Sequence, residues 1–161
     1  MTPSRWPVAT TTRRSTRTTT LTTTTSKSAN ALSAVLPFDP VPSPRPRVAV
    51  RGKFPTVYMP TDYMDWKKAV AAYVQDAGLS APEGLFEAPV ALDLVCHVER
   101  PKTSKLLYPK PDADNYAKSV MDAFNDSGRL WKDDCQVHDL RVRKRWAEGE
   151  PGVSFTLTYE T

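Results

Sequence analysis

Val90-Ala91-Leu92-Asp93-Leu94-Val95-Cys96-His97-Val98 keeps an apolar residue at every second position. Val90, Leu92, Leu94, Cys96 and Val98 fall on one face, Asp93 and His97 on the other. Successive side chains of a strand point to opposite sides, so this period of two predicts a half-buried strand. Downstream the pattern becomes helical over about residues 113–125, with Gly128 near the stop. It returns to alternation over 137–146, where Val137, Asp139, Arg141, Arg143 and Arg145 oppose His138, Leu140, Val142, Lys144 and Trp146. Val153, Phe155, Leu157 and Tyr159 mark a last strand. Upstream, Thr61 or Asp62 is predicted to cap a helix that runs to about residue 77 and is closed by Gly78. Met64, Ala69, Val70, Tyr73 and Val74 form its apolar stripe. Residues 48–50 and 56–59, separated by Arg51-Gly52-Lys53, read as a hairpin. Residues 35–38 read as a short strand. Between them Pro40, Pro42, Pro44 and Pro46 alternate with other residues, which enforces an extended chain. Strands and helices are mixed, with hairpins expected at both ends. The fold class predicted is α+β, a mixed β-sheet with two helices packed on it.

The chain has 161 residues, 40% hydrophobic and 25% charged, which suits one soluble domain. No apolar run approaches the roughly 18 residues of a membrane span. Cys96 and Cys135 are too few for a disulfide scaffold and are not spaced as a zinc site, so a reduced, cytoplasmic setting is expected. The net charge of +4 resides in the first 33 residues, which hold Arg5, Arg13, Arg14, Arg17, Lys27 and no acid. The remaining 17 basic and 18 acidic residues nearly cancel. Bulk charge therefore says nothing about nucleic-acid binding by the folded part. Residues 1–33 also hold twelve threonines and few large apolar side chains. Such a segment cannot bury enough surface to offset its conformational entropy, so it is expected to be a disordered, basic tail ahead of a domain at 34–161. It lacks the apolar core of a secretory signal, and no function is assigned to it.

The chemistry concentrates between residues 111 and 134. Pro111-Asp112-Ala113-Asp114-Asn115 opens the second helix, Lys118 and Asp122 follow, and Asp133-Asp134 lie in the turn before the next strand. Asp114, Lys118 and Asp122 are spaced i, i+4, i+8 and share a helix face. Aspartates gathered without His or Cys suit a hard cation such as Mg²⁺, and the turn is expected to come beside Asp112 and Asp114. Two such ions can drive phosphodiester hydrolysis, with Lys118 offsetting charge on the phosphate. The plainer alternative makes Asp112 or Asp114 a helix cap, Asp133 and Asp134 turn residues, and Lys118 a surface ion-pair partner of Asp114 or Asp122. Basic segments flank the acids. Arg45, Arg47, Arg51 and Lys53 precede the first helix, Arg100, Lys102, Lys105 and Lys110 lead to Asp112, and Arg141, Arg143, Lys144 and Arg145 follow Asp134. That arrangement fits a polyanion held beside a metal, or solvated strand faces and loops.

Taken in order, Asp112-Ala113-Asp114-Asn115-Tyr116-Ala117-Lys118, then Met121-Asp122-Ala123-Phe124, then Asp133-Asp134-Cys135-Gln136-Val137 resembles the signature of the RusA-like Holliday-junction resolvases. Residues 40–47 resemble that family's opening loop, and the resemblance spans about 35–160. It implies a RusA-like fold and Mg²⁺-dependent cutting of four-way DNA junctions by a homodimer, with Mn²⁺ able to substitute. By position it implies metal-binding acids at Asp112, Asp114 and Asp134, with Asp133 adjacent, and a catalytic lysine at Lys118. Lys144 matches a later lysine of the pattern, and Arg45, Arg47, Arg51, Lys53, Arg100, Lys102, Lys105, Lys110 and Lys144 are the DNA-contacting candidates. The resemblance also implies a bacterial or phage-infected cytoplasm and no membrane partner. Two rivals stand beside this reading, a less selective flap or branched-DNA nuclease and a non-catalytic architectural DNA-binding protein.

Overall fold

The computed structural model describes residues 25–27 and 30–161. Among the described residues seven strands, two helices and a 3-10 turn follow one another. They are β1 Ser26–Lys27, β2 Ala31–Leu36, β3 Arg47–Arg51, β4 Phe54–Tyr58, α1 Thr61–Asp76, β5 Val90–Val98, α2 Ala113–Ser127, the turn Asp134–Gln136, β6 Val137–Trp146 and β7 Gly152–Tyr159. The main sheet has the order β1-β2-β7-β5-β6, and β3 with β4 forms a separate ribbon. β2, β7 and β5 pair antiparallel, whereas β5 and β6 are parallel. The sheet is therefore mixed, and the α+β expectation holds.

Parallel neighbours need a crossover, and α2 with its flanking loops supplies it between β5 and β6. This corrects the hairpin expected at the C-terminal end. β6 and β7 are consecutive in sequence but do not pair, because β5 lies between them. The connection 147–151 steps across the end of β5, where the Ala147 N–H donates to the Val98 carbonyl at 2.8 Å. Burial accounts for the arrangement. β5 and β7 put a continuous row of buried residues on one face, whereas most of β6 is exposed, as an edge strand is.

Both helices lie on the same face of the sheet. Val70 and Val74 of α1, and Tyr116, Ala117, Val120, Ala123 and Phe124 of α2, close over Leu32, Leu36, Leu92, Leu94, Phe155 and Leu157. α2 ends where Gly128 adopts φ +60°, a left-handed cap that a side chain would oppose. α1 begins differently from the expectation. Pro60 holds the N-cap position with no side-chain cap, and Tyr63 rather than Met64 leads the buried stripe. The first core strand also begins earlier than expected. β2 starts at Ala31, with Leu32 buried, inside the stretch assigned to the tail. β1, Ser26–Lys27, lies in that stretch as well, and residues 1–24, 28 and 29 of it lie outside the described residues. No helix among the described residues is long and apolar enough to cross a membrane.

The β3–β4 ribbon turns through Gly52 at φ +74° and Lys53. Its register puts Val48 opposite Val57 and Val50 opposite Pro55 on one face, with Arg47, Tyr58 and Phe54 on the other. Trp131, which follows α2, is fully buried. Its ring meets Phe124 edge-on at 5.5 Å and its indole N–H donates to the Asn125 side chain. Trp131→Ala should cost roughly 3–5 kcal/mol, as a large buried truncation does. Urea unfolding of the variant against the parent would read this directly, and a cost under about 1 kcal/mol would contradict the packing described.

Candidate active site

α2 begins where the acidic motif begins. Asp112 holds the N-cap position with extended backbone (φ −68°, ψ 148°), but its carboxylate makes no capping hydrogen bond. Asp112 and Asp114 are both exposed. They stand at the helix end whose unsatisfied N–H groups favour negative charge. Asp133, by contrast, does cap the element that follows it, the 3-10 turn Asp134–Gln136. Its Oδ1 accepts the Cys135 N–H at 2.9 Å, and Gln136 Oε1 accepts the Asp133 N–H at 3.0 Å. Gln136 also accepts the Lys132 N–H at 2.8 Å and donates to the Phe86 and Ala88 carbonyls at 3.0 and 2.8 Å. One side chain thus fixes the turn and ties it to the loop ahead of β5. The N–H bond from Cys135 holds the Asp133 carboxyl below the usual carboxylate range. The contribution of that bond is present above the ordinary carboxylate pKa and is lost as pH falls through the lowered one.

The neighbouring aspartate has a different role in the geometry. Asp134 Oδ2 lies 3.8 Å from Lys118 Nζ. Lys118 Nζ donates to Asp122 Oδ1 at 2.6 Å. Asp122 Oδ2 in turn accepts the Tyr63 hydroxyl at 2.8 Å. Asp114 stands one turn before Lys118 on the same helix face. The hydrogen bond to Asp122, assisted by both carboxylate charges, raises the Lys118 pKa above its ordinary value. Lys118 is therefore a fixed cation at neutral pH and not a base.

Among the described residues no three His, Cys, Asp or Glu side chains stand close enough together to hold one cation. The turn before β6, expected beside Asp112 and Asp114, brings Asp134 Oδ2 to 3.8 Å from Lys118 Nζ, one helical turn from Asp114. The donors are nevertheless oxygen-only and partly or fully exposed, the chemistry a hard divalent cation takes. Mg²⁺ is commonly held by one or two carboxylates, with waters and substrate phosphate completing its shell, so a preassembled three-carboxylate cage is not required.

Residues 37–158 match the family model of endodeoxyribonuclease RusA. The chain belongs to the RusA endodeoxyribonuclease family. The match takes in both helices, the Asp112–Lys118 motif and the Asp133-Asp134 turn. The chain is also similar to the uncharacterized protein YqaN of Bacillus subtilis (strain 168), with 36% identity over 133 residues, covering 74% of this chain and 89% of YqaN. RusA-family membership places the chain among nucleases that act on DNA.

The basic candidates of this RusA-family chain separate into two groups. Arg45, Arg47, Lys53, Lys102, Lys105 and Lys110 are exposed, and Arg51 ends β3. Arg100 and Lys144 instead hold the long loop between β5 and α2. Arg100 donates to the Ser104 and Leu106 carbonyls at 3.3 and 3.1 Å and lies over the Trp146 ring. Lys144 is half-buried beneath Tyr108 and donates to the Pro109 carbonyl at 2.9 Å and to the Pro111 carbonyl. That places its ammonium directly behind Asp112. Arg141, Arg143 and Arg145 alternate onto the face of β6 away from both helices, where Arg143 pairs with Asp93. Cys96 is buried and Cys135 exposed, both as free thiols.

Two residues of the site escaped the sequence reading. Tyr63 was passed over because Met64 was taken as the first apolar position. Ser43 donates its N–H to the Asn115 carbonyl at 2.9 Å and so docks the proline-rich segment on the start of α2, a long-range contact with no local signal. Lys144→Met should keep the aliphatic packing and lose both carbonyl bonds. Unfolding measurements should then show a loss of roughly 1–3 kcal/mol, since two carbonyls lose a charged donor. No loss would mean that the loop does not depend on Lys144.

Proposed function

We propose that the chain is a Mg²⁺-dependent endonuclease that resolves four-way DNA junctions. The observation that carries this reading is Lys118, a protonated ammonium held between Asp122 and Asp134 and one turn from the exposed Asp114. A carboxylate face with a fixed cation set into it suits a phosphodiester whose transition state gathers negative charge. Asp112, Asp114 and Asp134 would hold Mg²⁺, or Mn²⁺ in its place, with Asp133 shaping the turn beside them. When bound, the metal would act as a Lewis acid toward the phosphate and lower the pKa of a water nucleophile. Lys118 would meet the non-bridging phosphate oxygens. Arg45, Arg47, Arg51, Lys53, Lys102, Lys105 and Lys110 would contact neighbouring phosphates and read junction shape rather than base edges.

Cutting two strands symmetrically calls for two sites related by a two-fold axis, so the working form in this reading is a homodimer. The apolar face of the β3–β4 ribbon, with Val48, Val50 and Val57 exposed by 63%, 74% and 64%, is surface that the chain leaves uncovered. Work on branched DNA would be done in the cytoplasm of a bacterium or of a phage-infected host.

A labelled four-way junction incubated with Mg²⁺ should receive paired, symmetric nicks that EDTA abolishes. Asp114→Asn should bind the junction and cut it slower by roughly a hundredfold or more. Equal cutting of flaps and linear duplex would favour a less selective nuclease, and binding with no cutting under either metal would favour an architectural protein. Salt titrations separate the two basic groups. Lys110→Ala should lower the slope of log affinity against log salt by about one, as loss of a phosphate contact does. Lys144→Met should leave the slope unchanged. A lowered slope there would return Lys144 to the DNA-contacting set.

A further inference from the structure

We infer that Tyr63, a residue of α1, positions Lys118 for phosphate contact by fixing the Asp122 carboxylate between them, a role that rests on the nuclease reading above. The geometry is a chain of two short bonds. The Tyr63 hydroxyl donates to one oxygen of Asp122 at 2.8 Å, and the other oxygen accepts from Lys118 at 2.6 Å. With both oxygens engaged on different partners, the carboxylate plane cannot rotate without breaking a bond. Tyr63 is almost wholly buried, so its ring is immobile. Lys118 is 55% exposed and would otherwise sample many rotamers of a flexible four-carbon stem. A simple charge partner for Lys118 would need only one oxygen of Asp122 and no buried hydroxyl behind it.

The interface around the chain is built to hold it. One helical turn further on, Lys67 of α1 pairs with Asp126 of α2 at 2.9 Å, repeating the same spacing on both helices. Near the far end of α1, Gln75 donates to the Ser127 carbonyl at 2.9 Å. Burial and the bond to Asp122 push the Tyr63 pKa up to about 12, so the hydroxyl remains a donor across the working pH range. Lys118 is thereby aimed through contacts from outside its own helix. An ammonium held in place before substrate arrives need not be reorganised in the transition state.

Tyr63→Phe removes the hydroxyl and keeps the ring. Single-turnover cleavage of a four-way junction with Mg²⁺ should fall by about tenfold, the scale of a small misplacement of a catalytic group. Junction affinity should not change, and the melting midpoint should fall by no more than about 10 °C, the scale of one lost hydrogen bond to a charged group, with the variant folded at the assay temperature. In an Asp122→Asn background, Tyr63→Phe should cause no additional fall, because the bond it removes acts only through that carboxylate. Parental cleavage by Tyr63→Phe, an equal fall in both backgrounds, or a fall accounted for by unfolding at the assay temperature would overturn the proposal. A second readout does not depend on cutting. In ¹H–¹⁵N spectra the Lys118 ammonium of the parent chain should exchange slowly with water, and Tyr63→Phe should speed that exchange. If the parent chain cuts no DNA, the nuclease reading fails while this exchange measurement still tests the coupling. Exchange unaffected by Tyr63→Phe would overturn the proposal in either case.

Discussion

The seating of α2 on the sheet is the constraint from which the rest follows. Tyr116, Ala117, Val120, Ala123 and Phe124 are all buried against β2, β5 and β7, and burial of that face sets the rotation of the helix about its axis. With the apolar stripe inward, Asp114, Lys118 and Asp122 must line one outer face together. The acidic face is thus the reverse side of a packing solution. A substitution that rolled α2 by one residue would turn both faces at once.

The same crossover makes the site composite. Asp112 arrives from the loop that Lys144 and Arg100 hold by its carbonyls. Asp134 arrives from a turn that Gln136 ties to residues 86 and 88. Asp122 is braced by α1 through Tyr63. Each carboxylate is therefore set by a different part of the chain, although 112–134 is one short stretch of sequence. Several charged groups that look like ligand contacts in a linear reading are structural supports here. Lys144 and Arg100 donate to backbone carbonyls of the loop ahead of α2, and Asp133 accepts the N–H of its own turn.

Much of the architecture was legible because it rests on local periodicity. β5 needed only the alternation from Val90 to Val98, and α2 needed a helical stripe with Gly128 at its end. The hairpin at 47–58 was legible from Gly52 between two apolar runs. What misled was adjacency. β6 and β7 are neighbours in sequence and both alternate, but nothing local records that β5 lies between them. The tail boundary failed for a related reason. Ala31 to Leu36 carries small and polar residues that look unfit for a strand, and its burial comes from β7, more than a hundred residues away.

The amino-acid sequence by itself determined which residues could do chemistry, since the acids, Lys118 and their one-face spacing are consequences of residue type and of 3.6 residues per turn. It also determined the family, because the order of those motifs is specific. Only the tertiary structure decided which of the paired aspartates faces α2, which basic residues brace loops, and that Tyr63 stands behind Lys118. The physical reason is range. A helical face is set by torsions a few residues apart, whereas the partner of a carboxylate is set by how helices and strands distant in sequence are brought together to bury a common core.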